Sequence, residues 1–155
     1  MRKDLDFIQK VKLFNEIGGT KNEYNVKKLS LYFGLIAEEF SELLQSFNNE
    51  SWDDTIYFFD DMSTKFKEGT YDKYFDSLNF NKVDALDAIV DIAVVALGAG
   101  IAMGVDVDGA CHAVADNNLT KFPIVDGKHT VLYDENGKIK KPLGFKSVEL
   151  TSFVK

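Results

Sequence analysis

Apolar residues recur every three or four positions along most of the first 120 residues, which is the period of one helix face rather than of a strand. Phe7, Ile8, Val11 and Phe14 set that spacing over residues 4–16, and Gly18-Gly19 stops the helix. From Val26 to Phe47, Leu29, Phe33, Ile36, Phe40, Leu43, Leu44 and Phe47 mark one side of a long amphipathic helix that Asn48-Asn49 ends. Ser51, with Asp54 three residues on, opens a surface helix over 52–68 with an acidic first turn. The stretch 69–80 (GTYDKYFDSLNF) has no clean period and reads as a loop or short helix. Asn81 can cap a helix from Lys82 to about Met103, closed by Gly104, and Asp106 can cap another over 107–119.

Beyond Phe122 the pattern changes. Pro123 and Gly127 break the helical period, and the runs HTVLY and KIKK flank Asp134-Glu135-Asn136-Gly137, a turn ending in Asn-Gly between two β-favouring segments. The expected fold is all-α and four-helix-bundle-like with a small C-terminal β-hairpin. It forms a single domain over 1–155, with the bundle at 1–122 and the hairpin appendage at 123–155.

Composition narrows the function classes. A chain of 155 residues, 45% apolar and 28% charged, can bury a core without disulfides, and its single cysteine, Cys111, cannot form an internal one. The first residues, MRKDLDF, lack the apolar core of a signal peptide, so the expected location is the cytoplasm. The most apolar run, Ile92 to Val105, is too short to cross a bilayer and is bounded by Asp91 and Asp106, so it reads as a buried core helix with no membrane partner. A net charge of −7 argues against a nucleic-acid duplex as partner, since such binding needs a clustered basic surface.

The candidate chemistry lies in two rows of carboxylates. Glu38 and Glu39 each sit about one turn from Glu42, and Asp84, Asp87 and Asp91 follow at spacings of three and four. For the glutamates alone, a solvated helix face explains the pattern better than a cation does, since acidic triplets on helices are common. Asp91, however, is set among Ile89, Val90, Ile92 and Val94. A buried ionised carboxylate must be neutral, paired or metal-bound. No basic residue follows Lys82 on that helix, which leaves pairing from elsewhere or a metal. Hard oxygen ligands suit magnesium or manganese, and the Glu-x-x-His pairs of a diiron bundle are missing.

These residues carry a resemblance. The segments Ala37-Glu38-Glu39-Phe40-Ser41-Glu42-Leu43 and Asp87-Ala-Ile-Val-Asp91 are similar to the EExxE and ExxD signatures of the all-α nucleotide pyrophosphohydrolases. That superfamily holds the MazG-like proteins, the dimeric dUTPases and phosphoribosyl-ATP pyrophosphohydrolase. Val114-Ala-Asp-Asn-Asn118-Leu-Thr-Lys121 and Asn136-Gly137-Lys138-Ile-Lys140-Lys141-Pro142 further resemble the phosphoribosyl-ATP pyrophosphohydrolase-like branch, much of it phage-encoded. The likeness covers roughly residues 29–150. Two departures stand out: Ala88 occupies the place of the Glu in ExxD, so that Asp87 or Asp84 must supply the missing oxygen, and the connection 48–81 is longer than the family's.

The resemblance implies a MazG-type fold and magnesium-dependent hydrolysis of a nucleoside triphosphate to a monophosphate and pyrophosphate, with manganese as a substitute metal. Glu39, Glu42, Asp87 and Asp91 would hold the metal. Glu38 would be a further ligand or the base that activates water, the catalytic pair being Glu38 and Glu39. Asn118, Lys121, Lys138 and Lys141 would bind the substrate, although a helix C-terminal lysine is also favoured by the dipole alone. Homodimers or homotetramers are the implied assembly. Phosphoribosyl-ATP hydrolysis and a non-catalytic, cation-binding helical dimer are the alternatives. His112 and Cys111 read as structural, and Trp52, Tyr57, Phe58 and Phe59 as packing or subunit contacts.

Overall fold

The computed structural model describes residues 4–75 and 80–154. Helices dominate, with a small antiparallel hairpin near the C-terminus, so the fold is all-α with a β appendage. The described elements divide into two compact units. One comprises residues up to Lys21, Asn81–Tyr133 and Ile139–Lys155; the other comprises Asn22–Phe80 and Asp134–Lys138.

In the second unit α2 (Val26–Gln45) starts at Asn25, whose side chain accepts from the backbone N–H of Lys28. A 3-10 turn (Glu50–Trp52) leads into α3 (Asp53–Lys67) and then α4 (Asp72–Phe75). Helices α2 and α3 run antiparallel: Ser30 meets Phe66, Gly34 meets Ser63, Phe40 stacks on Phe59 and Phe47 meets Trp52. The buried stripe of α2 is made of small residues, Ser30, Gly34, Ala37 and Ser41, together with Leu31. This differs from the large apolar face expected from periodicity: Phe40, Leu43 and Phe47 are exposed. The reason is the closeness of α3, since a Cβ on Gly34 would lie 2.9 Å from the Ser63 carbonyl oxygen. Helices that approach so far can bury only small side chains between them, and the large ones are displaced to the flanks. At the far end Phe33, Phe66, Tyr71, Phe75 and Phe80 form an aromatic cluster, and the Tyr24 hydroxyl donates to the Phe75 carbonyl. Residues 76–79 of the stretch read as loop or short helix lie outside the described residues.

In the first unit α1 (Phe7–Ile17) begins with a reciprocal capping box between Asp6 and Gln9. It packs on α6 (Val107–Leu119) through Lys10, whose buried ammonium donates to Asp116 at 2.8 Å, and on the segment just after α6 through Phe14 and Phe122, whose ring centres are 5.0 Å apart. Leu119, Phe122 and Ala115 form the core of this unit. The helix α5 (Lys82–Ala102) is capped by Asn81 and closed by Gly104 at φ 73°, a backbone conformation suited to glycine.

Two expectations need correction. First, α5 is not a buried core helix: apart from Ala85 and Gly100 its residues are exposed. Its C-terminal end leans on α6, where Gly100 faces Val107, but among the described residues nothing in its own unit covers the rest. The run read as too short to span a bilayer lies, up to Ala102, in a longer helix, and by length and composition alone Lys82–Ala102 is long and apolar enough to cross one. Second, the two-stranded ladder forms earlier than expected, between β1 (Ile124–Val125) and β2 (Lys128–His129) about Asp126-Gly127. The anticipated HTVLY and KIKK pairing is reduced to one bridge, Tyr133 with Ile139, plus a bond from Lys140 N–H to the Leu132 carbonyl.

Candidate functional site

The acidic row of α2 is placed by the helix period alone. Glu38 is half-buried, and Glu39 and Glu42 are exposed one turn apart. Glu38 is engaged: its Oε2 accepts from Lys138 Nζ at 2.7 Å and from Lys67 Nζ at 3.1 Å. Lys67 ends α3 and has a largely buried side chain (14% exposed), so it has little access to water as an alternative partner. Lys138 is aimed by a tight turn. The Asp134 carboxylate accepts from the backbone N–H groups of both Asn136 and Lys138, and Gly137 takes φ 77°.

Partial burial alone would raise the Glu38 pKa, but the hydrogen bonds and charges of Lys138 and Lys67 together outweigh it, and the carboxyl lies below its ordinary value. Glu38 is therefore ionised near neutral pH and a weaker base than a free glutamate. Two ammonium groups sharing one carboxylate leave a net positive charge beside the acidic row.

The same unit contains a cavity of about 260 Å³. Its walls include Lys27 and Ser30 of α2, Phe66, Lys67 and Asp72 around the α3–α4 connection, and Glu135 and Asn136 of the hairpin turn. Lys67 thus belongs both to this cavity and to the Glu38 pair.

The acidic row of α5 lies in the first unit. Asp84 is drawn into the helix cap, its Oδ2 accepting from Asn81 Nδ2 at 2.6 Å. Asp87 and Asp91 are exposed and make no ion pair among the described residues. Burial therefore does not force Asp91 to be neutral, paired or metal-bound within the single chain, contrary to the expectation from its apolar neighbours. Those neighbours are themselves exposed, and the argument holds only for a covered helix.

Among the described residues no three His, Cys, Asp or Glu side chains are gathered closely enough to hold a metal ion. Each row by itself nevertheless offers the right donors. Glu42, Asp87 and Asp91 are carboxylates without an ion-pair partner among the described residues, at one-turn spacing from another carboxylate. Magnesium takes such oxygens one or two at a time and keeps part of its water shell. The donor set fits it.

Three of the other candidates fall in the first unit. Asn118 is half-buried near the end of α6, and Lys121 stands in the turn beyond the helix rather than on it. Lys121 Nζ lies 5.6 Å from the Phe14 ring centre and 5.8 Å from that of Phe145, and Lys141 Nζ lies 5.7 Å from Phe145. The two lysines thus share one aromatic ring, a contact that depends on the C-terminal segment and leaves no trace in local sequence. His112 and Cys111 have structural settings. His112 Nδ1 is 3.2 Å from the buried Lys10 ammonium, while burial, followed by the Asp108 charge, raises the Cys111 thiol pKa, which disfavours a thiolate.

The family model described as phosphoribosyl-ATP pyrophosphohydrolase matches residues 13–118, which takes in both acidic rows. No curated protein and no solved structure matches.

Proposed function

This chain belongs to the phosphoribosyl-ATP pyrophosphohydrolase family, within the MazG-like all-α pyrophosphohydrolases, and we propose that it hydrolyses nucleoside triphosphates to monophosphates and pyrophosphate. A hydrolase acting on a phosphorus anhydride is what the family establishes; the (d)NTP as substrate is our reading. The observation that supports it most is that the matched span includes Glu39 and Glu42 on α2 and Asp87 and Asp91 on α5, acidic pairs at one-turn spacing. We take these four as magnesium ligands, manganese substituting.

When bound, the ion would neutralise phosphate charge and polarise the anhydride, the main requirement of phosphoryl transfer. The side chains supply the rest. Lys138 and Lys67 present ammonium groups to the phosphate oxygens, and Glu38 holds them in position. Glu39, exposed on α2 beside Glu38, is our candidate to take the proton from the attacking water as oxygen bonds to the α-phosphorus and pyrophosphate leaves. Lys121, with Asn118 and Lys141, provides further contacts for the substrate.

Phosphoribosyl-ATP is the second reading, supported by the description of the family itself. A screen of NTPs, dNTPs and phosphoribosyl-ATP with magnesium, with products identified, decides between the two. Absence of pyrophosphate from every substrate would instead leave a non-catalytic, cation-binding helical protein.

We further propose a homodimer or homotetramer in the cytoplasm, with α5 covered by a second copy. Val83, Leu86, Val94, Val95 and Ile101 are all more than 60% exposed on this one helix. A contiguous apolar surface of that kind marks an interface or a membrane contact. Asp87 and Asp91 favour the protein partner, because a carboxylate at mid-helix costs about 2.5–3.5 kcal/mol in a bilayer.

A further inference from the structure

Two lysines read as substrate contacts meet at one ring in the first unit. Lys121 Nζ lies 5.8 Å from the centre of Phe145 and Lys141 Nζ lies 5.7 Å from it. Both fall within the roughly 6 Å over which the negative face of an aromatic ring attracts a cation. Lys121 is also 5.6 Å from the centre of Phe14, so it sits against two rings.

Local chemistry builds this meeting. Pro142-Leu143-Gly144-Phe145 forms a tight turn, closed by the Phe145 N–H donating to the Pro142 carbonyl at 3.0 Å. Gly144, at φ 81°, takes the left-handed conformation that the third residue of a type II turn requires. The turn folds Phe145 back toward Lys141, which immediately precedes it. Asn117 Nδ2 then donates to the Lys146 carbonyl at 2.8 Å and ties the chain just after Phe145 to α6. Lys121 stands four residues beyond Asn117, in the turn that follows that helix. Phe14 is held in turn by its contact with Phe122.

A ring differs from a carboxylate as a holder of lysines. Glu38 offsets part of the charge of Lys67 and Lys138. A phenyl ring attracts an ammonium through its quadrupole and has no net charge, so it fixes the group without neutralising it. Lys141 makes no ion pair among the described residues. Two ammonium groups fixed at one uncharged ring suit a polyanion, and their attachment lowers the rotamer entropy that long side chains lose on binding.

We propose that Phe145 is a positioning residue that gathers Lys121 and Lys141 into one grip for the polyphosphate of the substrate. The inference rests on the reading of these lysines as substrate contacts, and it adds the residue through which they act together.

The test uses the full-length protein with Phe145→Leu, which keeps an apolar side chain but has no ring face, and Phe145→Tyr, which keeps the face. Trifluorophenylalanine incorporated at position 145 keeps the shape of the ring and drains its negative face, so it decides the matter if Phe145→Leu does not fold. Circular dichroism checks the fold of each. Binding of inorganic tripolyphosphate is measured by calorimetry without magnesium, and kcat and KM are measured for the best triphosphate found. Two cation–ring contacts at a partly exposed site correspond to a loss of about fivefold to thirtyfold in tripolyphosphate affinity for Phe145→Leu, with KM raised by a similar factor and kcat little changed. The trifluoro ring should fall in the same direction, and Phe145→Tyr should restore most of the binding. In a Lys141→Ala background the Phe145→Leu change should cost less, because one of the two cations it holds is gone. Unchanged binding and KM in Phe145→Leu and the trifluoro protein overturn the proposal. So does an equal loss in Phe145→Leu and Phe145→Tyr, or a loss undiminished in the Lys141→Ala background. If Lys121→Ala and Lys141→Ala themselves leave tripolyphosphate binding unchanged, the substrate-contact reading falls and this inference with it. Binding that depends on both lysines and the ring, in a protein that hydrolyses nothing, would refute the enzymatic reading while sustaining this one.

Discussion

Replacing Glu38 with Gln separates its two conceivable roles, base and anchor. Gln keeps the shape and one acceptor oxygen but removes the charge that two ammonium groups share at 2.7 and 3.1 Å. Glu38 and Lys138 are partly exposed, so each pair would contribute only about 0.2–1 kcal/mol if it were an ordinary surface contact. Lys67, at 14% exposure, has less water to fall back on, and charged hydrogen bonds reach about 1.5–3 kcal/mol. A net loss of about 1–2 kcal/mol at pH 7 is therefore expected, equivalent to a fall in Tm of roughly 2–8 °C for a chain of this size.

The pH dependence has a definite sign. The Glu38 pKa is lowered in the folded state, so its stabilisation is present above the unfolded-state value near 4.3 and is lost as pH falls through the folded value. Urea unfolding of wild type and Glu38→Gln from pH 7 to 3 should show a gap that is constant down to about pH 5 and closes below it. In the activity assay an anchoring role raises KM, because the lysines lose their fixed positions, whereas a base role collapses kcat with KM little changed. Equal stabilities at pH 7 together with a pure kcat defect would refute the anchor assignment.

Asp91→Asn and Glu42→Gln should each abolish magnesium-dependent turnover while leaving the helical content intact; near-normal turnover in either variant removes it from the metal set. Light scattering at micromolar concentration should give at least a dimer, and Val94→Lys on the exposed face of α5 should shift it toward monomer. Lys121→Ala should raise KM roughly tenfold to a hundredfold with metal affinity preserved, and unchanged efficiency would leave Lys121 to its ring contacts with Phe14 and Phe145. Gly34→Ala should destabilise the fold by about 1–3 kcal/mol, read from thermal unfolding, since the added methyl meets α3 backbone that cannot rotate away.

Local chemistry in the sequence located most of the elements. Asn81 and Asp106 do cap α5 and α6, and α3, expected over 52–68, occupies Asp53–Lys67. Caps and glycine stops act within a turn of chain, so they are visible without tertiary knowledge. The apolar period of α2 established its type but not its buried face. The stripe Ser30, Gly34, Ala37 and Ser41 is selected by how closely α3 approaches, and no hydropathy pattern marks that. Glu38 was visible as a motif member, but its partners Lys67 and Lys138 lie 29 and 100 residues away and depend on the antiparallel return of α3 and on the Asp134 turn. Lys67 carries no motif, and its ion pair with Glu38 and its place on the cavity wall are what single it out.

The exposure of α5 bears on the metal proposal as well as on assembly. A 21-residue helix spans about 30 Å, and this one shows apolar side chains all round except for Lys82, Asp84, Asp87 and Asp91. Covering it with a second copy would remove its largest apolar side chains from water, each contributing about 1.5–3 kcal/mol if fully buried. The same covering would desolvate Asp87 and Asp91, and unpaired carboxylates resist that strongly. A divalent cation resolves the conflict: it compensates the two charges while the apolar residues around them are buried. Metal binding and association should therefore be linked, each strengthening the other by the same factor. Sedimentation of the wild-type protein should show tighter self-association with magnesium than with a chelator, and Asp91→Asn should associate equally well in both. Self-association of wild-type protein that ignores magnesium would separate the acidic row from the interface and remove this argument for placing the metal there.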